Sequence, residues 1–396
     1  MNMPQCRAAP KPRMAKKGRQ TLGKMRILHM TPPEIHNGVY QYLFNHMKYI
    51  DKDKYQFEFL TRNKAGLMET KEYRQYHFNV WAFENTQRDS EEGLRREITR
   101  ILDDGFDAIH LHTSMWRGFL IEEIAMEMKI PQVIVHSHST GADFALQEER
   151  DRLLQIHEAY KKQFCMEMAT DVCACSRLAG EWLYGEQIPK SQIKILPNAV
   201  EAEKYHFNPG KRKQVRDRLG LDDRVIVGNV GRYSYQKNQE FLIRAFAKAR
   251  GRNNKLFLIL MGQGELKGQY AGLIDRLGIA DCAMCMGWQE HVEDYLQAFD
   301  LFCLPSHFEG LSICAVEAQA AGLNCYLSDT LAEETRITDL AAFLPLTEEI
   351  WVEALAGAKM SADRAWYDGI IAAQGYDIRS AAGKLMGIYG GKETIK

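Results

Sequence analysis

Short apolar runs alternate along this chain with longer stretches in which apolar residues recur at helical spacing. The first half contains seven candidate strands, at Met25–Met30, Tyr55–Thr61, Asn79–Glu84, Asp107–Thr113, Gln132–His138, Asp171–Ser176 and Ile193–Val200. The second half contains five more, at Val225–Val230, Leu256–Met261, Ala283–Gly287, Leu301–Pro305 and Asn324–Ser328. Strands that alternate with helices in this way predict parallel sheets that carry helices on both faces.

A charged stretch at Glu201–Asp223 interrupts the alternation. The predicted fold class is therefore α/β, with two doubly wound domains, residues 25–204 and residues 205–372, which face each other across a cleft. A basic extension, residues 1–24, precedes these domains, and residues 373–396 follow them. Because ligands of such sheets bind beyond the carboxyl ends of the strands, the residues after each strand are the candidates for chemistry.

Charge is distributed unevenly along the chain. Residues 1–24 hold seven basic and no acidic side chains, so the remainder of a chain with 51 Lys/Arg and 52 Asp/Glu is acidic. An acidic body argues against a nucleic-acid partner, which requires a basic face. The basic segment lacks the apolar stretch of a secretory signal. Three interpretations of it stay open: residues upstream of a start at Met25, a disordered tail, or an arm for anionic lipid.

The apolar composition indicates neither a membrane span nor a disulfide scaffold. The longest apolar run, Leu256–Met261, is far too short to cross a bilayer. Nine cysteines in apolar surroundings predict reduced thiols and a cytoplasmic location. Two close pairs have spacings seen in metal sites, but both pairs lie in or directly beside predicted strands, and we expect core residues there rather than zinc or redox chemistry; they are Cys173 with Cys175 and Cys282 with Cys285.

Two cations follow the first strand of the second domain. Gly231 allows the chain to turn, and Arg232 and Lys237 stand five residues apart before a predicted helix. Arginine offers a planar fork to phosphate oxygens and lysine a compact charge, so the pair suits a diphosphate. Two solvated cations on a loop would have the same spacing, and both interpretations stay open.

Two carboxylates flank the start of the helix predicted after the strand Leu301–Pro305. Glu309 and Gly310 lie on the loop between that strand and the helix, and the free N–H groups at the start of the predicted helix 311–321 favour an anion. Glu317 lies within the helix, where a carboxylate in an apolar run is costly to bury without a partner. Carboxylates on both sides of an anion site would suit the hydroxyl groups of a sugar nucleotide. The alternative is a solvated Glu317 at the helix edge.

These motifs resemble those of a known family. Gly231-Arg232-x4-Lys237-Asn238, together with Glu309-x7-Glu317, is similar to the signature of the retaining glycosyltransferases of family 4, which have the GT-B fold. The resemblance extends from about Met25 to the end of the chain and is strongest to the branch that builds exopolysaccharide and capsule. It implies two Rossmann-like domains, the first for the acceptor and the second for the nucleotide sugar. It also implies that a helix within residues 373–396 packs back on the first domain.

Carried over to this sequence, the resemblance implies that Arg232 and Lys237 bind the donor diphosphate. It implies that Glu309 contacts the transferred sugar and that Glu317 holds the ribose hydroxyls. The other donor-binding positions that it implies are Gly38, Gly231, Gly264, Glu265, Val292, Gly310, Leu311 and Ser312. Of the glycine pair that the family often has after its first strand, only Gly38 is present here. The implied catalytic residues are His138, Arg232, Lys237 and Glu309, with no metal and no other cofactor.

Histidines end two neighbouring strands of the first domain. His136 and His138 share one face of their strand, and the family would place one of them near the sugar and the acceptor. We prefer His138 because it lies nearer the strand end. His110 and His112 repeat the spacing on the preceding strand, so four histidines could also hold a metal. No carboxylate accompanies them at ligand spacing, and hydrogen-bonded histidines are common at strand ends.

The predicted reaction is transfer of a sugar from a nucleoside-diphosphate sugar, expected to be a UDP-sugar, to a hydroxyl of a glycan or lipid-linked acceptor. The resemblance implies retention at the anomeric carbon and a role in cell-surface glycan synthesis. The alternatives are an epimerase or hydrolase of the same fold and a non-catalytic subunit that binds the sugar nucleotide. A dehydrogenase is disfavoured because no Gly-x-Gly-x-x-Gly follows the first strand of either half.

A lipid-linked acceptor would require contact with the inner face of the membrane. Basic and aromatic residues near the first helix are candidates for that contact; they are Lys48, Tyr49, Lys52, Lys54 and Tyr55. An ordinary solvated helix end would show the same composition, so both interpretations stay open.

Overall fold

A computed structural model describes residues 23–390 of the chain, apart from residues 33, 36, 361–363 and 365–366. Within this part, two parallel sheets carry helices on both faces, which confirms the predicted α/β fold with two doubly wound domains. Residues 1–22, which hold most of the predicted basic extension, and residues 391–396 lie outside the described residues.

The N-terminal sheet has seven parallel strands. They are β1 (Met25–Met30), β2 (Tyr55–Thr61), β3 (Val80–Ala82), β4 (Ala108–Thr113), β5 (Gln132–Ser137), β6 (Asp171–Ala174) and β7 (Ile193–Ile195). Their order across the sheet is β3-β2-β1-β4-β5-β6-β7. The helices of this domain are α1 (Gly38–Tyr49), α2 (Lys64–Met68), α3 (Lys71–Tyr76), α4 (Glu91–Leu102), α5 (Leu120–Glu127), α6 (Gln147–Lys161) and α7 (Arg177–Tyr184).

The C-terminal sheet has six parallel strands. They are β8 (Val225–Val230), β9 (Leu256–Met261), β10 (Ala283–Gly287), β11 (Leu301–Leu304), β12 (Asn324–Ser328) and β13 (Ala341–Leu344), in the order β10-β9-β8-β11-β12-β13. The helices of this domain are α8 (Pro209–Leu219), α9 (Gln239–Arg250), α10 (Lys267–Arg276), α11 (Val292–Ala298), α12 (Ile313–Ala320), α13 (Glu348–Ala356) and α14 (Tyr367–Ala373). In both sheets the strand order reverses beside the first strand of the domain, which opens a crevice at the carboxyl ends of the strands.

Several elements differ in extent from the predictions, and the strand predicted at Asn79–Glu84, for example, covers only Val80–Ala82. The strand predicted at Ile193–Val200 ends at Ile195, because Pro197 has no N–H to continue the ladder. The helix predicted from Leu311 begins at Ile313, with Ser312 as its N-cap. Strand β13 was not predicted, since its two alanines have low strand propensity.

The last helix, α15 (Ile378–Tyr389), packs against α1 of the N-terminal domain. Asp377 caps its first turn by accepting a hydrogen bond from the amide of Arg379 at 2.9 Å. The amide of Ile378 donates to the carbonyl of Val200 at 2.9 Å, which joins the returning segment to the linker between the domains. Tyr389 is buried in the N-terminal core. The C-terminal helix therefore crosses from the second domain back to the first.

Candidate active site

Two glycine-containing loops at the carboxyl ends of β8 and β9 form one wall of the cleft. A Cβ at Gly262 would lie 1.9 Å from the carbonyl oxygen of Gly231, and a Cβ at Gly264 would lie 2.2 Å from that of Tyr233. The loops therefore pack so closely that only glycine fits at both positions. Glu265, the next predicted residue, is exposed beside them.

Lys237 and Glu309 form a buried ion pair beneath this wall. The ammonium of Lys237 lies 2.6 Å from Oε1 of Glu309, and the two side chains are only 14% and 8% exposed. Ser306 donates to the same carboxylate oxygen at 2.8 Å, and Gln236 donates to Oε2 at 3.2 Å. Burial alone would lower the pKa of Lys237, but the Glu309 carboxylate outweighs it and raises that pKa above its ordinary value. The lysine therefore carries a full charge at neutral pH.

Arg232 reaches across the cleft to the N-terminal domain. Its guanidinium donates to Asp143, on the segment after β5, and the other carboxylate oxygen of Asp143 accepts from the amide of Gln236 at 2.9 Å. Arg232 thus lies between the two domains, whereas Lys237 is bound to Glu309 on the neighbouring loop of its own domain. Sequence reasoning missed Asp143, because nothing in its local sequence marks it as a partner of a loop 89 residues away.

The loop after β11 is held by the N-terminal domain. Thr140 Oγ1, Ser176 Oγ and Asn198 Nδ2 donate to the consecutive backbone carbonyls of residues 309–311, at 2.9, 2.6 and 2.5 Å. Three side chains from three different segments therefore bind one short loop of the other domain. None of the three was predicted, because each is a common surface residue type until the domains meet.

Gly310 marks the closest approach of the two domains. A Cβ at this position would lie 2.3 Å from the carbonyl oxygen of His138. The next residue, Leu311, packs against Ala174 and Cys175 of the N-terminal domain. Ser312, a predicted donor-binding residue, is buried, with its hydroxyl 3.1 Å from the thiol of Cys314. The predicted anion-binding loop is therefore ordered by contacts on both sides of the cleft.

Glu317 is half-buried and hydrogen-bonded rather than fully solvated at the helix edge. The hydroxyl of Tyr205, in the linker between the domains, donates to Oε1 of Glu317 at 2.7 Å. Burial raises the pKa of Glu317 to about 7, and the hydrogen bond from Tyr205 opposes that rise. A half-buried carboxylate with one fixed donor still offers acceptor capacity to a ligand.

Two predicted donor-binding positions lie at helix starts. Gly38 is the first residue of α1, where Asn37 caps the helix by accepting from the amide of Tyr40 at 2.8 Å. Among the described atoms, a Cβ at Gly38 would meet none within 4 Å. Val292 is the first residue of α11, and His291 before it lines a polar cavity of about 520 Å³.

Five histidines share one face of the N-terminal sheet: His29 on β1, His110 and His112 on β4, and His136 and His138 at the end of β5. The first four are buried, and His138 is half-buried. Of the two predicted sugar-proximal histidines, only His138 therefore keeps exposed surface, since His136 is fully buried. His29 was not predicted, because no motif accompanies it on the first strand.

Hydrogen bonds connect these imidazoles. His29 Nδ1 lies 3.0 Å from His112 Nε2, and His112 Nδ1 lies 2.8 Å from His138 Nε2. Burial lowers the pKa of both His29 and His138 to about 3, so the rings are neutral. Two triads of this cluster bring one ring nitrogen from each member within 4.8 Å of the others, the spacing of a metal site. No carboxylate belongs to either triad.

The candidate membrane-contact residues have partners within the protein. Lys48 pairs with Glu201 at 2.6 Å, Lys54 with Asp51 at 3.5 Å, and Tyr55 donates to a backbone carbonyl of α15 at 3.3 Å. Among the described residues, no helix combines the length and the apolar character needed to span a membrane.

The two halves of the chain match two related families. Residues 36–204 match the family described as Glycosyltransferase Family 4, and residues 211–340 match the family described as Glycosyl transferases group 1. The chain belongs to glycosyltransferase family 4. This family 4 glycosyltransferase is 28% identical over 374 residues to EpsF of Bacillus subtilis (strain 168), itself named a glycosyltransferase, with 92% of this chain and 96% of EpsF covered.

A second relative acts on a lipid-linked saccharide. The Escherichia coli UDP-Gal:alpha-D-GlcNAc-diphosphoundecaprenol alpha-1,3-galactosyltransferase is 27% identical over 233 residues, which cover 57% of this chain and 58% of that enzyme.

Solved structures of other glycosyltransferases share the fold. Anabaena HepE in complex with UDP and glucose superposes with a TM-score of 0.70 at 18% identity, with 91% of this chain and 98% of HepE covered. A glycosyltransferase from Rickettsia africae ESF-5 superposes with a TM-score of 0.72 at 13% identity, with 92% and 98% covered. These likenesses confirm the GT-B architecture of the family 4 glycosyltransferase described here.

Proposed function

We propose that this glycosyltransferase transfers a sugar from a UDP-sugar to a hydroxyl of a glycan or lipid-linked saccharide, with retention at the anomeric carbon. The observation that supports this most is the convergence of Arg232, Lys237 and the Glu309–Gly310 loop on the cleft opposite His138. The similarity to the Escherichia coli enzyme that is named for a UDP-Gal donor, and the fold shared with HepE, which binds UDP, support the donor class. We assign the product to exopolysaccharide or another cell-surface glycan.

In the proposed mechanism, the bond between the sugar C1 and the phosphate oxygen breaks, and negative charge develops on the departing diphosphate. Arg232 and Lys237 stabilise that charge, the electrostatic role that a metal ion has in other enzymes. For this reason we propose transfer without a metal. Glu309 is held by Lys237 and Ser306, so we assign it to hydrogen bonds with the sugar hydroxyls rather than to nucleophilic attack. The acceptor then attacks on the face that the diphosphate leaves, and a phosphate oxygen takes its proton.

The remaining donor contacts follow from the same placement. We assign the ribose hydroxyls to Glu317, which Tyr205 orients through its 2.7 Å hydrogen bond. We assign the loop amides of residues 310–312 to the diphosphate and the sugar. A lipid-linked acceptor would place this enzyme on the cytoplasmic face of the membrane as a peripheral protein, and Lys48 and Lys54 would then exchange their present partners for lipid headgroups.

A thermal-shift screen tests the proposed function first. Nucleoside diphosphates and their sugars are added singly, and we expect UDP and UDP-sugars to raise the unfolding temperature, since a ligand that binds the folded state stabilises it. Transfer is then measured with and without a saccharide acceptor, with and without EDTA, and the anomeric configuration of the product is read by NMR. Consumption of the donor without acceptor would indicate a hydrolase or epimerase. Loss of transfer in EDTA would contradict the metal-free mechanism.

A further inference from the structure

The buried histidines of the N-terminal sheet form a hydrogen-bonded chain that ends at the cleft. His29, His112 and His138 are joined in that order, through Nδ1 to Nε2 at 3.0 Å and again through Nδ1 to Nε2 at 2.8 Å. A neutral imidazole has one N–H donor and one bare acceptor nitrogen. The protons in such a chain must therefore all point the same way, and the ring at one end determines the tautomer of the ring at the other.

The environment of His29 selects the direction. Nε2 of His29 is buried and has no hydrogen-bond partner among the described residues. The ring lies among aromatic side chains, with its centroid 4.2 Å from that of Phe57 and 5.9 Å from that of Phe59. A buried N–H without an acceptor is rarer and more costly than a bare nitrogen. The proton of His29 therefore belongs on Nδ1, where it donates to His112.

The same rule applies to the next two histidines of the hydrogen-bonded series. His112 accepts at Nε2, so its own proton lies on Nδ1 and donates to Nε2 of His138. His138 in turn carries its proton on Nδ1. Within the described part of the chain, no group hydrogen-bonds to that nitrogen, and His138 is the half-buried member of the cluster at the cleft.

We propose that the His29–His112 chain fixes His138 as the Nδ1–H tautomer, so that His138 donates a hydrogen bond to an oxygen of the bound sugar nucleotide and does not act as a base. His138 is then a substrate-binding donor, and His29 and His112 are positioning residues. The proposal rests on the proposed function only for the identity of the ligand, because the tautomer itself is a property of the free protein.

A second pair of histidines obeys the same rule independently. Nε2 of His136 is also buried without a partner, which places its proton on Nδ1, 3.3 Å from Nε2 of His110. His110 then donates from Nδ1 to the hydroxyl of Tyr389 at 2.8 Å. All five histidines are therefore expected to be Nδ1–H tautomers, although water favours the Nε2–H form of free histidine.

The groups that pack on the cluster from other elements leave it uncharged. They are Tyr42 and His46 of α1, Cys173 of β6 and Tyr389 of α15. Burial lowers the pKa of His46 to about 4 and raises the pKa values of Tyr42, Cys173 and Tyr389. Among the residues that the structure describes, no charged neighbour therefore competes with the hydrogen-bonded histidines for control of the tautomers.

The test is the ¹⁵N spectrum of the imidazoles in the full-length, ligand-free protein with ¹⁵N-labelled histidine at pH 7.5. Two histidines outside the chain calibrate it. His157 accepts from the amide of Trp116 at 3.0 Å through Nδ1 and must be Nε2–H, whereas His46 must be Nδ1–H because its Nδ1 lies 2.7 Å from the carbonyl of Tyr42. We expect His138 to share the pattern of His46. An Nε2–H pattern for His138 overturns the proposal.

A matched pair of variants at His112 separates positioning from packing. His112→Asn keeps an N–H donor near the place of Nδ1, whereas His112→Leu keeps similar volume without a donor. We expect His138 to stay Nδ1–H in the asparagine variant and to lose that preference in the leucine variant. UDP and UDP-glucose are the probes. The leucine variant should bind UDP-glucose about tenfold more weakly than the wild type and UDP equally well, whereas the asparagine variant should bind both ligands as the wild type does.

Two further results have distinct meanings. Stoichiometric zinc or copper in the purified protein, with loss of the tautomer signals, would show that the nitrogens bind a metal instead, and would overturn the proposal. If no nucleotide in the thermal-shift screen binds while all five histidines are Nδ1–H, the proposed function is wrong, but the assignment of the tautomers is correct.

Discussion

The guanidinium of Arg232 in the C-terminal domain donates a hydrogen bond to the carboxylate of Asp143 in the N-terminal domain. The same carboxylate accepts from the amide of Gln236 at 2.9 Å. An anion of the protein thus lies against the loop to which we assign the donor diphosphate. Asp143 and the diphosphate therefore compete for the guanidinium of Arg232. When the donor binds, either Arg232 leaves Asp143 or the diphosphate joins the two residues as a third charged group.

This competition predicts that Asp143→Asn binds UDP more tightly than the wild type. Removal of one negative charge from the mouth of the site should contribute about 1 kcal/mol, or about fivefold in affinity. Titration calorimetry measures the change. Asp151→Asn, at an exposed position on the same domain, makes the same change in net charge and should leave the affinity unaltered. Weaker binding by Asp143→Asn would show that the carboxylate orients Arg232 instead.

The buried Lys237–Glu309 pair predicts that a second substitution can restore the stability lost in a Lys237 variant without restoring its turnover. Lys237→Met should reduce turnover at least 100-fold, because one of two cations on the leaving group is lost. It should also lower the free energy of unfolding by about 3 kcal/mol, since it leaves Glu309 buried without its partner. Adding Glu309→Gln should recover most of that stability in urea unfolding but none of the turnover. Recovered turnover in the double variant would contradict the role of Lys237.

The close approach at Gly310 predicts that a single methyl group prevents the domains from meeting. In Gly310→Ala the new Cβ would lie 2.3 Å from the carbonyl oxygen of His138, which is backbone and cannot rotate away. We expect turnover to fall at least tenfold while UDP binding to the C-terminal domain persists. Gly268→Ala is the control, because a Cβ at that position would meet no atom of the described residues within 4 Å. Equal activity of the two variants would show that the contact is dispensable.

The placement of Glu317 predicts that its contribution to UDP affinity depends on the hydroxyl groups of the ribose. Glu317→Ala should weaken UDP binding by about tenfold, which is the loss expected for a hydrogen bond to a charged group. It should leave binding of 2′,3′-dideoxy-UDP unchanged, because that ligand has no hydroxyl to lose. Tyr205→Phe should give a smaller loss for UDP, since the carboxylate remains. A similar loss for both nucleotides in Glu317→Ala would assign the residue to the structure of α12 instead.

The buried histidines predict a protein that loses stability in mild acid. Burial lowers the pKa values of His29 and His138 to about 3 and that of His46 to about 4. The folded protein holds these histidines in their neutral form. The stabilisation is therefore complete above about pH 6.5, the pKa of histidine in the unfolded chain, and it is lost as the pH falls toward the pKa values of the folded protein. Each such histidine should contribute a slope of about 1.4 kcal/mol per pH unit below that point.

Urea unfolding at pH 7.5, 6.5 and 5.5 measures this slope. His136→Gln, which cannot be protonated, should unfold with a shallower dependence on pH than the wild type, whereas substitution of the exposed His77 should not change it. An unfolding free energy that is constant from pH 6.5 to 5.5 would contradict the neutral, buried state of the cluster.

Sequence alone identified the loops on which the candidate chemistry lies. Arg232 and Lys237 follow a strand whose apolar run is unmistakable, and Glu309 and Gly310 follow another, so local pattern sufficed to place them at one edge of a sheet. It did not identify Asp143, because an aspartate in a polar loop has no distinguishing neighbours. Its role depends on a contact that the two domains make only when folded.

The alternation of strands and helices determined the α/β class, the two sheets and the strand ends that carry the cations, because periodicity and turn residues act over a few positions of the chain. Only the tertiary structure decided which side chains meet: Thr140 and Ser176 with the loop after β11, Tyr205 with Glu317, and His29 with His112. These pairs are far apart in sequence, and their energies arise from burial and hydrogen-bond geometry, which exist only after the sheets and the two domains have packed.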